Sequence, residues 1–265
     1  MVVSAPAPAL PARYRPAGPL RRRVRMIGFS ALAALALTVV GFLIWATTPY
    51  LAERGPVVEV WANADVEVQY LDEGILMSPV GDAENLAAES TGLIFVPGAR
   101  VEPYAYMAQL SGVVEQHGVT VLITKPTLNL ALLDLRGVDD FTTAAPLVER
   151  WFVGGHSLGG VRACLMAPDS GVEGLLLWGS YCATDVSDSG LRVLSVTGEN
   201  DLLSTPATID DNAELLPNNA RFVTIEGANH ASFGDYGPQF GDGERTITSE
   251  DMRQTLTALL ADFLN

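Results

Sequence analysis

The chain has 265 residues, 48% of them hydrophobic, which suffices for one good-sized domain with a buried core and excludes wholesale disorder. Its formal net charge is -15, yet six of its 16 basic residues lie within the first 25 positions, ahead of any acidic residue. The rest sets ten basic residues against 31 acidic ones, a surface that repels polyanions, so nucleic acid is excluded as a partner.

Residues 1–25 are rich in Pro, Ala and Arg and read as a flexible basic tail. Met26 to Ala46 then run 21 residues without a charge, close to the roughly 20 that cross a bilayer as a helix. We expect a transmembrane signal anchor over 26–47. Arg21 to Arg25 precede it, and Trp45 and Tyr50 sit at its far end, which places the N-terminus in the cytoplasm and everything after the span outside it. A cleaved signal peptide is the alternative. Its apolar region is about 7–15 residues long and ends in a small-x-small site, which TTPYLAERG does not offer. Residues 48–56 follow as a juxtamembrane linker, and a globular domain is expected over 57–265.

Within that domain VVEVWANADVEVQYLDE alternates with period two and predicts paired strands. GLIFVPG is a short apolar strand, PYAYMAQLSGVVEQHG a helix stopped by Gly118, and VTVLITKP a strand. NLALLDLRGVDDFTTAA has helical spacing, with Gly137 as its weak point. Four more strands follow in ERWFVGG, VEGLLLWG, LRVLSVTG and ARFVTIEG. SLGGVRACLMA, PATIDDNAELL and TSEDMRQTLTALLADFL are helical, the last capped by Thr248 with Asp251 three residues on. Strands alternating with helices give an α/β class: a mostly parallel sheet with helices on both faces, binding ligands at the carboxyl ends of its strands.

Gly155-His156-Ser157-Leu158-Gly159 matches G-x-S-x-G between a strand and a helix, the context in which the motif is informative. A nucleophile on so sharp a turn leaves no room for side chains two residues before and after it, hence Gly155 and Gly159. The following helix aims its free N–H groups at the site. A helix-capping serine is the plainer reading. Serine needs a base near pH 7. His156 lies inside the motif, and His117 falls at the amino end of the sheet. His230 directly follows a strand and is the candidate base. Asp201, past the exit of LRVLSVTG, is the candidate partner of that base, with Glu199, Asp185 and Asp188 as alternatives. An oxyanion hole needs two N–H groups. Leu158 is one candidate donor; Ala99, in the loop after GLIFV, is the other, with Arg100 as runner-up.

Cys164 and Cys182 fit one disulfide in an exported domain, or two separate buried thiols. No Cys or His cluster suggests zinc. Asp235, Asp242 and Glu244 raise calcium, but the spacing does not match a calcium loop and a solvated loop is favoured. No metal is expected. Lys125, the only lysine, fits a salt bridge better than a substrate contact.

GGHSLGG, TGEND and EGANH, in this order, resemble the α/β-hydrolase superfamily over roughly residues 57–265. NHASFGDYGPQFGDG and KPTLNLALLD look like its small serine hydrolases without a lid, similar to the dienelactone-hydrolase-like branch. The resemblance implies an eight-stranded, mainly parallel fold, the order Ser157, Asp201, His230, a covalent acyl-enzyme and no cofactor. Only about ten residues, Tyr181 to Gly190, occupy the position where many relatives carry a helical lid, so an open site is expected. The resulting expectation is a membrane-anchored hydrolase of small-molecule or lipid-like carboxylic esters. An acyltransferase to an envelope acceptor, and a binding module without turnover, are the rivals.

Overall fold

The computed structural model describes residues 19–81 and 90–265. Residues 1–18, most of the expected basic tail, lie outside the described residues. α1 (Pro19–Ala46) is one helix. Its stretch Arg22–Ala46, 25 residues, is long and apolar enough to cross a membrane. At 1.5 Å per residue it spans about 38 Å, against about 30 Å of bilayer hydrocarbon. A compact unit then runs from Trp45 to Asn265.

The unit is built on one eight-stranded sheet, in the order β1-β2-β4-β3-β5-β6-β7-β8. The strands are β1 (Val66–Tyr70), β2 (Gly74–Pro79), β3 (Thr91–Val96), β4 (Thr120–Thr124), β5 (Arg150–His156), β6 (Val172–Trp178), β7 (Arg192–Gly198) and β8 (Arg221–Ile225). β2 runs antiparallel to both neighbours, and β4-β3-β5-β6-β7-β8 are parallel throughout. The central strands are continuous apolar runs because both faces are covered. Along β3, Leu93 and Phe95 enter one core layer and Ile94 and Val96 the other. The first layer is closed by α2 (Arg54–Ala62), α3 (Met107–His117) and α7 (Ser249–Leu264). The second is closed by α4 (Val138–Thr142) and α5 (Leu158–Met166). A short helix, α6 (Pro206–Asp211), follows β7.

Three local expectations are corrected. VVEVWA forms α2, not a strand: Val57 and Val60 are also three apart, and burying Val60 against the core decides for the helix. GILMSP, not expected as an element, is β2 and bridges β1 to the parallel strands. NLALLDLRG is not a helix; it makes two single 3-10 turns, Thr127–Asn129 and Ala131–Leu133, and only Val138–Thr142, past Gly137, is α-helical. The α7 cap is as expected, with Thr248 Oγ1 accepting from Asp251 N at 3.0 Å.

Cys164 on α5 and Cys182 after β6 are joined as a disulfide with Cα atoms 5.6 Å apart. The segment expected as a linker, 48–56, is packed on the domain. Tyr50 N donates to Arg100 O at 2.5 Å, Ala52 N to Glu102 Oε2 at 3.0 Å and Glu53 N to Asp235 O at 2.7 Å.

Candidate active site

Ser157 stands at the carboxyl end of β5, where the chain turns into α5. Its φ of 53° and ψ of -125° lie in a region that L-residues seldom occupy. The turn holds only because its neighbours lack side chains. A Cβ on Gly155 would stand 2.4 Å from Gly159 C, and one on Gly159 would stand 2.0 Å from Val96 O and 2.4 Å from Pro97 O. The second contact also shows how closely the start of α5 abuts the exit of β3. Ser157 itself is fixed through its backbone, with N donating to Trp178 O at 3.0 Å and O accepting from Ser180 Oγ at 2.7 Å.

Asp201 follows β7 and His230 follows β8, and the structure brings them together. His230 Nδ1 and Asp201 Oδ2 are 2.8 Å apart, and both side chains are buried. The other oxygen of Asp201 accepts the N–H groups of Leu203 (2.9 Å) and Ser204 (2.7 Å), so the carboxyl cannot rotate away. With Nδ1 engaged, Nε2 is the ring atom left to exchange a proton. No hydrogen bond joins it to Ser157 Oγ as the residues stand; such pairs are often loose before substrate closes on them. The ends of β6, β7 and β8 approach one another closely at Gly179. A Cβ there would lie 3.0 Å from Asp201 Oδ2 and 3.2 Å from His230 Nδ1. Of the alternatives to Asp201, Glu199 accepts from Gly227 N, and Asp185 accepts from Ser187 N and Oγ.

The loop after β3 leaves its backbone N–H groups in different states. Gly98 N donates to Tyr106 Oη at 2.9 Å, and Arg100 N donates to Asn129 O at 2.7 Å. The N–H of Ala99, between them, donates to no protein group among the described residues. That of Leu158, first in α5, has no carbonyl four residues back within the helix to receive it. Arg100, the runner-up, is therefore already committed.

His156 is the neighbour that sequence reasoning missed. Its ring is fully buried and lies 4.4 Å from that of His230, centroid to centroid. Tyr106 Oη accepts from Gly98 N and shares a hydrogen bond with His156 Nδ1 at 2.9 Å. Burial first, and the adjacent His230 second, push the pKa of His156 well below the usual histidine value. A neutral His156 places no charge beside the ring that would become cationic. The only signal for this in the sequence was a histidine directly before Ser157.

Asp242, expected in a solvated loop, is instead a clamp. Its Oδ1 accepts from His230 N (3.1 Å) and Gly243 N (2.8 Å), and its Oδ2 from Ala231 N (2.9 Å). Asp235, expected in the same solvated loop, is buried, and both its oxygens accept from Gln109 Nε2. Burial raises its pKa above the usual carboxyl value, against the opposing Gln109 bond. Among the described residues no group of three or more His, Cys, Asp or Glu could hold a metal. Lys125 is exposed and makes no ion pair among the described residues. His117 is exposed at the end of α3, before β4 begins.

The family model described as "Alpha/beta hydrolase family" matches residues 92–254, which include all of these groups. Est1E from Butyrivibrio proteoclasticus has a similar fold, with a TM-score of 0.50 at 13% identity over 75% of this chain and 98% of that one. A CIB-like hydrolase from Thermoplasma acidophilum gives 0.51 at 13% identity over 74% and 98%. At such identity the likeness speaks for the fold alone. No curated protein matches significantly. With the family model covering more than half of its length and the sheet order in place, the chain belongs to the α/β-hydrolase family.

Proposed function

We propose that the protein is a membrane-anchored serine hydrolase of carboxylic esters. The observation that carries this reading is the buried Asp201–His230 hydrogen bond at the same end of the sheet as a serine held at φ 53°. In this scheme His230 Nε2 takes the Ser157 proton as Oγ attacks the ester carbonyl. The N–H groups of Leu158 and Ala99 meet the developing oxyanion. On collapse the C–O bond to the alcohol breaks, and His230 returns the proton to the leaving oxygen. Water, deprotonated by the same nitrogen, then frees the acid and regenerates Ser157. Asp201 keeps the ring in the tautomer this needs. The scheme calls on no cofactor.

Anchoring through 26–47, with the N-terminus cytoplasmic and the domain on the far side, is supported by the apolar helix and by the Cys164–Cys182 disulfide. Such bonds persist in oxidising compartments and are rare in the cytosol. The test is hydrolysis of a short-chain nitrophenyl ester by the full chain. Ser157→Ala is expected to lower kcat by at least about 10⁴-fold. Full activity in that variant overturns the assignment.

A further inference from the structure

The chain enters the domain at the site itself. Trp45, the first residue of the compact unit, lies under the guanidinium of Arg100, 4.7 Å from its ring centroid. Arg100 Nη2 donates to Thr48 O at 2.5 Å, its carbonyl accepts from Tyr50 N, and Asn129 Nδ2 donates to Ala46 O at 3.1 Å. Arg100 adjoins Ala99, the candidate oxyanion donor. Arg100, Leu128 and Asn129 all have positive φ, a tight left-handed turn that L-residues seldom adopt, in the loops that grip the entering chain. If the apolar stretch that ends at Ala46 crosses a bilayer, chain continuity keeps the loops after β3 and β4 within a few residues' reach of its surface.

The same end of the sheet exposes large apolar side chains on three loops. Leu132 and Leu135 follow β4, Leu202 and Leu203 follow β7, and Phe240 follows β8. Phe240 is 96% exposed and Leu135 88%. Leu203 touches the position a Cβ of Gly241 would take, at 3.5 Å, so the β7 and β8 loops share one rim. Exposed apolar side chains on loops at one end of a sheet suit a lipid surface. The acidic domain repels anionic headgroups, which leaves these side chains, and not charge, to make the contact.

We propose that the mouth of the site rests on the bilayer and takes its ester from a neutral or zwitterionic lipid in the leaflet where the helix emerges. This rests on the serine-hydrolase reading above. The test uses the full chain in phosphatidylcholine vesicles. An environment-sensitive fluorophore is attached at Phe240→Cys and, separately, at Leu147→Cys, which is 79% exposed just before β5, at the other end of the sheet. Turnover is compared for a vesicle-resident fluorogenic diacylglycerol ester and its soluble short-chain analogue. We expect a blue shift, with quenching by a lipid-borne quencher, at position 240 and not at 147. We expect the lipid ester to be cleaved at least about tenfold faster at equal bulk concentration, through its effective concentration at the mouth. A label at 240 that stays aqueous, or one at 147 that enters lipid, overturns the placement. Equal turnover of the two esters overturns the substrate class. If neither ester is cleaved, the hydrolase reading falls and the substrate class with it, and the fluorophores still decide where the mouth lies.

Discussion

Replacing Asp242 by Ala removes the acceptor of the N–H groups of His230, Ala231 and Gly243, with Leu202 N at the edge of reach at 3.5 Å. His230 and Ala231 are buried residues, so their N–H groups are poorly placed to recover a partner from water. Hydrogen bonds to a charged acceptor contribute about 1.5–3 kcal/mol each. Two such bonds, reduced for the half-exposed position of Asp242, give a loss of about 2–4 kcal/mol. For a domain of this size that lowers Tm by roughly 5–15 °C. Asp242→Asn keeps one acceptor oxygen and should lose about half as much. Because the clamp ties the His230 loop to the loop carrying Asp201 and Leu202, kcat should fall by about 100-fold in the Ala variant with KM little changed. Asn should restore part of it. Thermal unfolding and steady-state kinetics on a soluble ester read both effects. An Ala variant with the wild-type Tm and kcat refutes the clamp.

Asp235 has a folded pKa raised from 3.8 by burial, so the stability it contributes is complete below 3.8 and is lost as pH rises through the raised value. Asp235→Asn should therefore raise Tm at pH 7 and leave it unchanged near pH 3; an equal effect at both pH values contradicts the assignment. His156 has a folded pKa pushed below 6.5, so its contribution is complete above 6.5 and is lost as pH falls below it, where the unfolded chain takes the proton first. His156→Gln, which keeps an acceptor for Tyr106, should flatten the fall of Tm between pH 7 and 5, and an unchanged slope counts against a neutral buried ring. The Cys164–Cys182 bridge closes a loop of 18 residues, worth about 3 kcal/mol of chain entropy. Reduction, or replacement of both cysteines by serine, should lower denaturant stability by about that much, and no change would show the bridge to be dispensable.

The parallel core was legible in the sequence because strands buried on both faces are short, continuous apolar runs, as in LIFV, VLIT and LLLW. Ser157, Asp201 and His230 could be singled out as candidates because each lies within a few residues of a strand's carboxyl end, and a parallel sheet carries all three exits to one end. Elements beyond those runs were harder. VVEVWA alternates like a strand, yet its apolar positions also fit a helical face, and only contact with the core chooses between them. GILMSP is short and lies between turn residues, so β2 was missed. Asp235 and Asp242 looked like surface acids because composition does not show what a loop folds back upon: one is buried against Gln109, and the other collects backbone N–H groups. Tyr106 and His156 lie 50 residues apart, so the bond between them leaves no local trace.

The central claim is an activated serine at position 157. The most direct test is to treat the full chain with a fluorophosphonate probe and locate the modified peptide by mass spectrometry. A single adduct on Ser157, lost in His230→Ala while that variant remains folded, is the predicted result. A folded wild-type chain that takes no label, or takes it on a serine other than Ser157, contradicts the account.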